Sequence, residues 1–212
     1  MSTTKAQRIG IWIIAAFMAV GTIGSFAIIV LANDNATREQ DRYNTLLAEY
    51  QAKVKTQQSE LSEKYFNKLN EFSSRVGEFN ADDVKELKTE DLVVGDGQEL
   101  TSESTFTAYY IGWNPSGKIF DSSIADGALK TPFTAGPGTV IEGWTKGVNG
   151  MKVGGVRELS IPSALAYGET GQGADIPANT PLKFIMMVIP TPEAITPSAE
   201  LEALYTRLYG KQ

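Results

Sequence analysis

Residues 9–32, IGIWIIAAFMAVGTIGSFAIIVLA, contain no charged side chain. As a helix rising 1.5 Å per residue, this run would be about 36 Å long, enough to cross a hydrocarbon core of about 30 Å. A cleaved export signal is the main rival reading, because Val30-Leu31-Ala32 places small residues near the end of the run. The apolar part of such a signal is normally only about 7–15 residues, so the length favours an uncleaved anchor over either a signal or a buried soluble helix. Lys5 and Arg8 precede the run, whereas Asp34, Glu39 and Asp41 offset Arg38 and Arg42 after it. The positive-inside rule then makes residues 1–8 a cytoplasmic tail, residues 9–32 a single-pass anchor, and everything after them extracytoplasmic.

Residues 33–80 change character. They are rich in Glu, Gln and Lys, free of Pro, and hold a single glycine at Gly77. Tyr43, Leu47, Tyr50, Val54 and Leu61 follow a four-three spacing with a polar gap at Gln57, and Tyr65, Leu69, Phe72, Val76 and Phe79 resume it after a stutter. The pattern predicts a long amphipathic helical stalk. Two readings of its apolar stripe stay open: a solitary stalk, or a coiled-coil seam joining two copies in a parallel homodimer.

Function is bounded by what the chain lacks. Its 212 residues include no His and no Cys, so a Ser–His–Asp triad, a thiol nucleophile and metal sites built on His or Cys are all excluded. No metal and no cofactor is expected. The net charge is −6 and no basic stripe stands out, which argues against a nucleic-acid partner. Any chemistry must use carboxylates, Tyr, Lys, backbone groups or the shape of a pocket.

From residue 81 short strands and turns take over. Residues 105–113 alternate, with Phe106, Ala108 and Tyr110 on one face and Tyr109, Ile111 and Trp113 on the other. Asn114-Pro115-Ser116-Gly117 reads as a turn and residues 118–121 as the returning strand. Residues 155–161 and 182–189 read as further strands. Residues 141–149 read as one short helix, and Thr196-Pro197 as the N-cap and first position of a last helix within 193–212. Strands around one helix give an α+β class: a curved antiparallel sheet wrapped on a short helix, over residues 81–192. The segment GTVIEGWTKGVNGMKVGG (138–155) surrounds Trp144 with six glycines. A large aromatic with backbone close on either side suits the floor of a small apolar pocket.

Six motifs appear in order: YYIG (109–112), GKIFDSS (117–123), TPF (131–133), VIEGWTKGVNGM (140–151), AYGETG (166–171) and IPANTPLKF (176–184). Together they resemble the FKBP-type peptidyl-prolyl cis-trans isomerases, the immunophilins that bind macrolide drugs, over about half of the chain. The resemblance implies a proline pocket with Trp144 as floor and Tyr110, Phe120, Phe133, Val140, Ile141 and Phe184 as walls. It assigns Asp121 as the charged member, Tyr167 as a rim hydroxyl, and the Ile141 N–H as donor to a substrate carbonyl. Relative to simpler members, the loop between Asp121 and Phe133 is about three residues longer and the step from Phe133 to Val140 about two shorter. Ala135 stands where an aromatic is frequent, and Gln172 and Asp175 replace residues that are often His and Ile.

The implied activity is rotation of X–Pro bonds in unfolded or newly exported proteins outside the cell membrane, with a macrolide as a further ligand. No nucleophile is required for that reaction, which agrees with a chain lacking His and Cys. Two alternatives remain: a peptide-holding chaperone of the same fold with little turnover, and a structural membrane-stalk oligomer with a passive head.

Overall fold

The computed structural model describes residues 34–210. The apolar run 9–32 lies outside the described residues, and no described helix is long and apolar enough to cross a membrane. The chain divides into two compact units. Gln58–Pro192 forms one, and among the described residues 34–57 together with 193–210 form the other.

The larger unit is built on a six-stranded antiparallel sheet. In chain order its strands are β1 (Lys88–Val93), β2 (Phe106–Trp113), β3 (Ile119–Ser122), β6 (Phe133–Ala135), β7 (Val156–Ile161) and β8 (Leu182–Ile189); a separate two-strand hairpin holds β4 (Ile124–Ala125) and β5 (Ala128–Leu129). Across the sheet the order is β1-β7-β8-β2-β3, with β6 also pairing to β2. The long β2 is shared: its first half pairs with β6 at Phe106–Ala135 and its second half with β3 at Ile111–Ser122. The expected alternation on β2 is what the packing shows. Phe106, Ala108 and Tyr110 join one apolar cluster, while Tyr109, Ile111 and Trp113 join another on the opposite face.

The first face is covered by the short helix α2 (Glu142–Gly147), which buries Trp144 against Leu159, Ile161, Phe184 and Met186. Glycines permit this close approach. A Cβ on Gly143 would sit 2.3 Å from Ile161 Cγ2, and one on Gly147 would sit 2.8 Å from Leu159 Cδ2. Gly143 and Gly147 therefore bring the helix onto β7.

The second face is covered by the chain's own N-terminal segment. Helix α1 (Asp34–Asn70) ends ten residues before the expected boundary at Asn80 and gives way to a 3-10 turn, Glu71–Arg75. The Ser73 hydroxyl donates to the Asn70 carbonyl at 2.6 Å, and the chain then extends at Val76. Such local side-chain bonds compete with the helical ladder. Leu69 is fully buried, and Leu61, Tyr65, Phe66, Phe72, Val76 and Phe79 pack with it on Tyr109, Ile111, Trp113, Ile185 and Met187. Polar ties reinforce the cover: Lys68 Nζ donates to the Gly154 carbonyl at 2.8 Å, and Arg75 pairs with the buried Glu158 at 2.6 Å.

In the smaller unit, Tyr43, Leu46 and Tyr50 of α1 bury against Leu201 and Leu204 of α3 (Ala199–Tyr209). Arg42 grips Glu200 through two bonds of 2.8 and 2.9 Å. The N-cap of α3 is Ser198, whose hydroxyl accepts from the Leu201 N–H at 3.1 Å, and not the expected Thr196. Both halves of the stripe read as a dimer seam are thus covered by elements of the same chain.

Candidate active site

Three strands bring aromatic rings onto Trp144, which is 4% exposed. The Tyr110 ring from β2 meets it edge-on at 5.0 Å between centroids, Phe184 from β8 at 5.3 Å, and Phe133 from β6 at 6.1 Å. Phe120 of β3 stands edge-on to Phe184 at 5.5 Å. Edge-to-face pairs of this kind contribute about 0.5–1.5 kcal/mol each beyond burial and fix ring orientation. Gly112 makes the arrangement possible, since a Cβ there would meet Phe184 Cε1 at 2.6 Å and Phe120 Cζ at 2.8 Å. Val140, Ile141 and Tyr167 are half-buried beside the same cluster. Every residue assigned to the pocket from the sequence except the charged Asp121 therefore packs in or against one aromatic cluster, and Phe133, 40% exposed, lies at its open side.

Asp121 lies at the rim. Its Oδ2 accepts from the Tyr110 hydroxyl and its Oδ1 from the Ser122 N–H at 2.8 Å, with Lys130 Nζ 3.9 Å from Oδ1. Burial, then the bond to Asp121, pushes the Tyr110 hydroxyl well above the ordinary tyrosine value. Burial, followed by the Asp121 charge, raises that of Tyr167 as well. Both phenols therefore stay protonated donors at neutral pH. Ile141 is the N-cap of α2, and no described group accepts from its N–H. The donor faces no protein competitor. The Trp144 indole N–H is likewise buried without a protein acceptor.

Several supporting residues were not singled out from the sequence. Arg157 on β7, itself buried, donates to the Gly147 carbonyl at 2.8 Å and the Asn149 carbonyl at 3.0 Å and pairs with Asp91 through two bonds. It thereby fixes the C-terminal end of the helix that carries Trp144. Ser123 is buried and bonds the Tyr110 backbone twice, accepting its N–H at 2.9 Å and donating its own N–H at 2.8 Å. A charged pair flanked by apolar residues in a strand, as in VREL, was the available signal for Arg157. The loop bearing Gln172 and Asp175 is tied down by Asn114 Nδ2 on the Asp175 carbonyl, 2.9 Å, and by Lys118 on its carboxylate, 2.5 Å.

The arrangement can hold a small flat apolar group on an indole floor, offer backbone and phenol donors to a carbonyl, and set one negative charge at the edge. A family model described as FKBP-type peptidyl-prolyl cis-trans isomerase matches residues 97–189. An FK506-binding protein of Neisseria meningitidis serogroup A is 44% identical over 98 residues, covering 46% of this chain and 89% of that protein. The peptidyl-prolyl cis-trans isomerase FKBP53 of Arabidopsis thaliana is 42% identical over 106 residues, covering 49% of this chain and 22% of its own length. A solved peptidyl-prolyl cis-trans isomerase from Pseudomonas syringae is 27% identical, covering 62% of this chain and 96% of its own, with a TM-score of 0.44. The chain belongs to the FKBP-type peptidyl-prolyl cis-trans isomerases.

Proposed function

We propose that the Trp144 pocket is where this isomerase turns X–Pro bonds, with Asp121, Tyr167 and Trp144 as its catalytic residues and Tyr110, Phe120, Phe133, Val140, Ile141 and Phe184 holding the substrate. The observation that carries the proposal is the closure of Tyr110, Phe133 and Phe184 edge-on around the buried Trp144, with Asp121 fixed at the rim. Resonance stiffens the X–Pro amide, giving a barrier of roughly 18–20 kcal/mol. The planar amide is more charge-separated than the twisted one, so a dry aromatic pocket disfavours the ground state relative to the transition state. The proline ring rests on Trp144. The Ile141 N–H donates to a carbonyl of the peptide, and the Tyr167 hydroxyl donates to the rotating carbonyl oxygen. The Asp121 charge favours the orientation that turns the positive, carbon end of that carbonyl toward the rim.

The same reading places the enzyme outside the cytoplasmic membrane on a single N-terminal anchor, residues 9–32, with residues 1–8 cytoplasmic. Its clients are proline-containing unfolded or newly exported proteins. Residues 81–192 carry the pocket and its strands, residues 33–80 form an N-terminal extension whose part from residue 58 completes the core, and residues 193–212 hold the C-terminal helix. A macrolide fits the same apolar pocket, in keeping with the names of the Neisseria relatives. NMR exchange on a proline tetrapeptide tests the site: turnover accompanied by a shift of the Trp144 indole resonance is expected, and binding without turnover would make the protein a holding chaperone. A reporter fused after Gln212 tests the anchor, which fails if the reporter is active in the cytoplasm.

A further inference from the structure

The loop between Asp121 and Phe133 folds into the hairpin β4–β5, turned by Asp126 (φ 50°) and Gly127 (φ 74°). A two-strand hairpin of this length is not stable alone in water. Its support comes from α1. The Ser62 hydroxyl accepts the Leu129 N–H at 2.9 Å, and Gln58 Nε2 donates to the Leu129 carbonyl at 3.2 Å. Both backbone groups of one hairpin residue are thus satisfied by side chains one helical turn apart, and Leu129, 1% exposed, packs in the cluster that holds Leu61, Tyr65 and Leu69.

The hairpin is continuous with the pocket. The Lys130 N–H donates to the Ser123 carbonyl at 2.8 Å, and Ser123 bonds the Tyr110 backbone in both directions. The Lys130 ammonium lies 3.9 Å from Asp121. Three residues further on, Phe133 closes the open side of the Trp144 cluster at 6.1 Å. Trp144, Asp121 and Phe184 stand on α2, β3 and β8, and Ser62 hydrogen-bonds none of these elements.

We propose that Gln58 and Ser62 are positioning residues for the prolyl pocket: α1 clamps the hairpin so that Phe133 and Lys130 are held in the arrangement that binds substrate. This rests on the pocket assignment given above. If the clamp is released, the binding-competent fraction falls and apparent affinity falls with it, while the groups that act on the bound amide stay in place. The perturbation therefore enters KM and leaves kcat nearly unchanged.

The test uses the full chain in detergent, with exchange on a proline tetrapeptide measured below the melting temperature of every variant. Ser62→Ala should raise KM about three- to tenfold, the range expected from losing one backbone hydrogen bond, with kcat within about twofold. Ser62→Thr, which keeps the hydroxyl, should restore KM, and Gln58→Ala should act in the same direction. In a Phe133→Ala background, Ser62→Ala should raise KM less than about twofold, because the wall it positions is already gone. An unchanged KM in Ser62→Ala, or an undiminished effect in the Phe133→Ala background, overturns the proposal. Absence of turnover in the wild type would instead overturn the pocket assignment beneath it.

Discussion

Leu69→Ala separates two pictures of the N-terminal helix. If residues 33–80 are only a spacer, truncating one side chain on it costs little, as for most surface substitutions. In the structure Leu69 is fully buried among Tyr109, Ile111, Trp113, Ile185 and Met187, on the sheet face opposite the pocket. Replacing a buried leucine by alanine removes its transfer free energy and leaves a cavity, together about 2–5 kcal/mol. For a unit the size of Gln58–Pro192, each kcal/mol lowers the melting temperature by about 3 °C, so a fall of about 6–15 °C is expected. Glu63→Ala, at an exposed position one and a half turns earlier, is the control and should stay within about 0.5 kcal/mol. Differential scanning fluorimetry on both variants reads the difference. A fall of less than about 2 °C in Leu69→Ala would refute the claim that α1 is part of the isomerase core. The same reasoning implies that a fragment beginning at residue 81 would expose the second apolar face, whereas one beginning at residue 58 keeps it covered.

Gly143→Ala should destabilise the chain and reduce activity together, because the new Cβ would lie 2.3 Å from Ile161 Cγ2 and push the helix carrying Trp144 off β7; an unchanged melting temperature would show that the helix has room to move. The pH profile of activity should be flat between pH 6 and 9, since the chain has no His to titrate there. Stability should respond at higher pH. Burial raises the Tyr109 hydroxyl from 10.0 to about 12, and raises those of Tyr110 and Tyr167 as well. A raised pKa means that the folded state favours the protonated phenol, so this contribution is intact below pH 10 and declines as pH rises above it, for Tyr109 from 10 toward 12 by about 1.4 kcal/mol per pH unit. Melting temperatures that rise over that interval would contradict the sign.

What the sequence made legible was decided by periodicity and by aromatic spacing. The faces of β2 could be assigned because Phe106 to Trp113 alternates in the side chains that its two clusters need. Phe120 and Asp121 on β3 could be grouped with Phe184 and Trp144 only through the combined motifs, since the four lie on three separate elements. The partner of the α1 stripe was not legible, because the spacing of Tyr65, Leu69 and Phe72 suits a sheet face as well as a second helix. A signal for the cover was nonetheless present in β8: FIMMVI (184–189) is apolar without alternation, and a strand of that kind has both faces covered. The edge strand β1 was missed because KTED (88–91) is exposed and carries no apolar pattern. The clamp on Leu129 involves backbone groups that no side-chain pattern reports.

In the proposed mechanism the charge at the rim acts on the amide rather than on the fold. Asp121 is half-exposed, and its neighbours Tyr110 and Ser122 can bond an amide oxygen as they bond a carboxylate. Asp121→Asn therefore keeps the size and one acceptor while removing the charge. Exchange rates on a proline peptide, with thermal unfolding measured alongside, should show kcat/KM lowered about 5- to 150-fold, equivalent to about 1–3 kcal/mol of transition-state stabilisation, at a nearly unchanged melting temperature. Full activity in Asp121→Asn would contradict the account and reduce Asp121 to a turn residue.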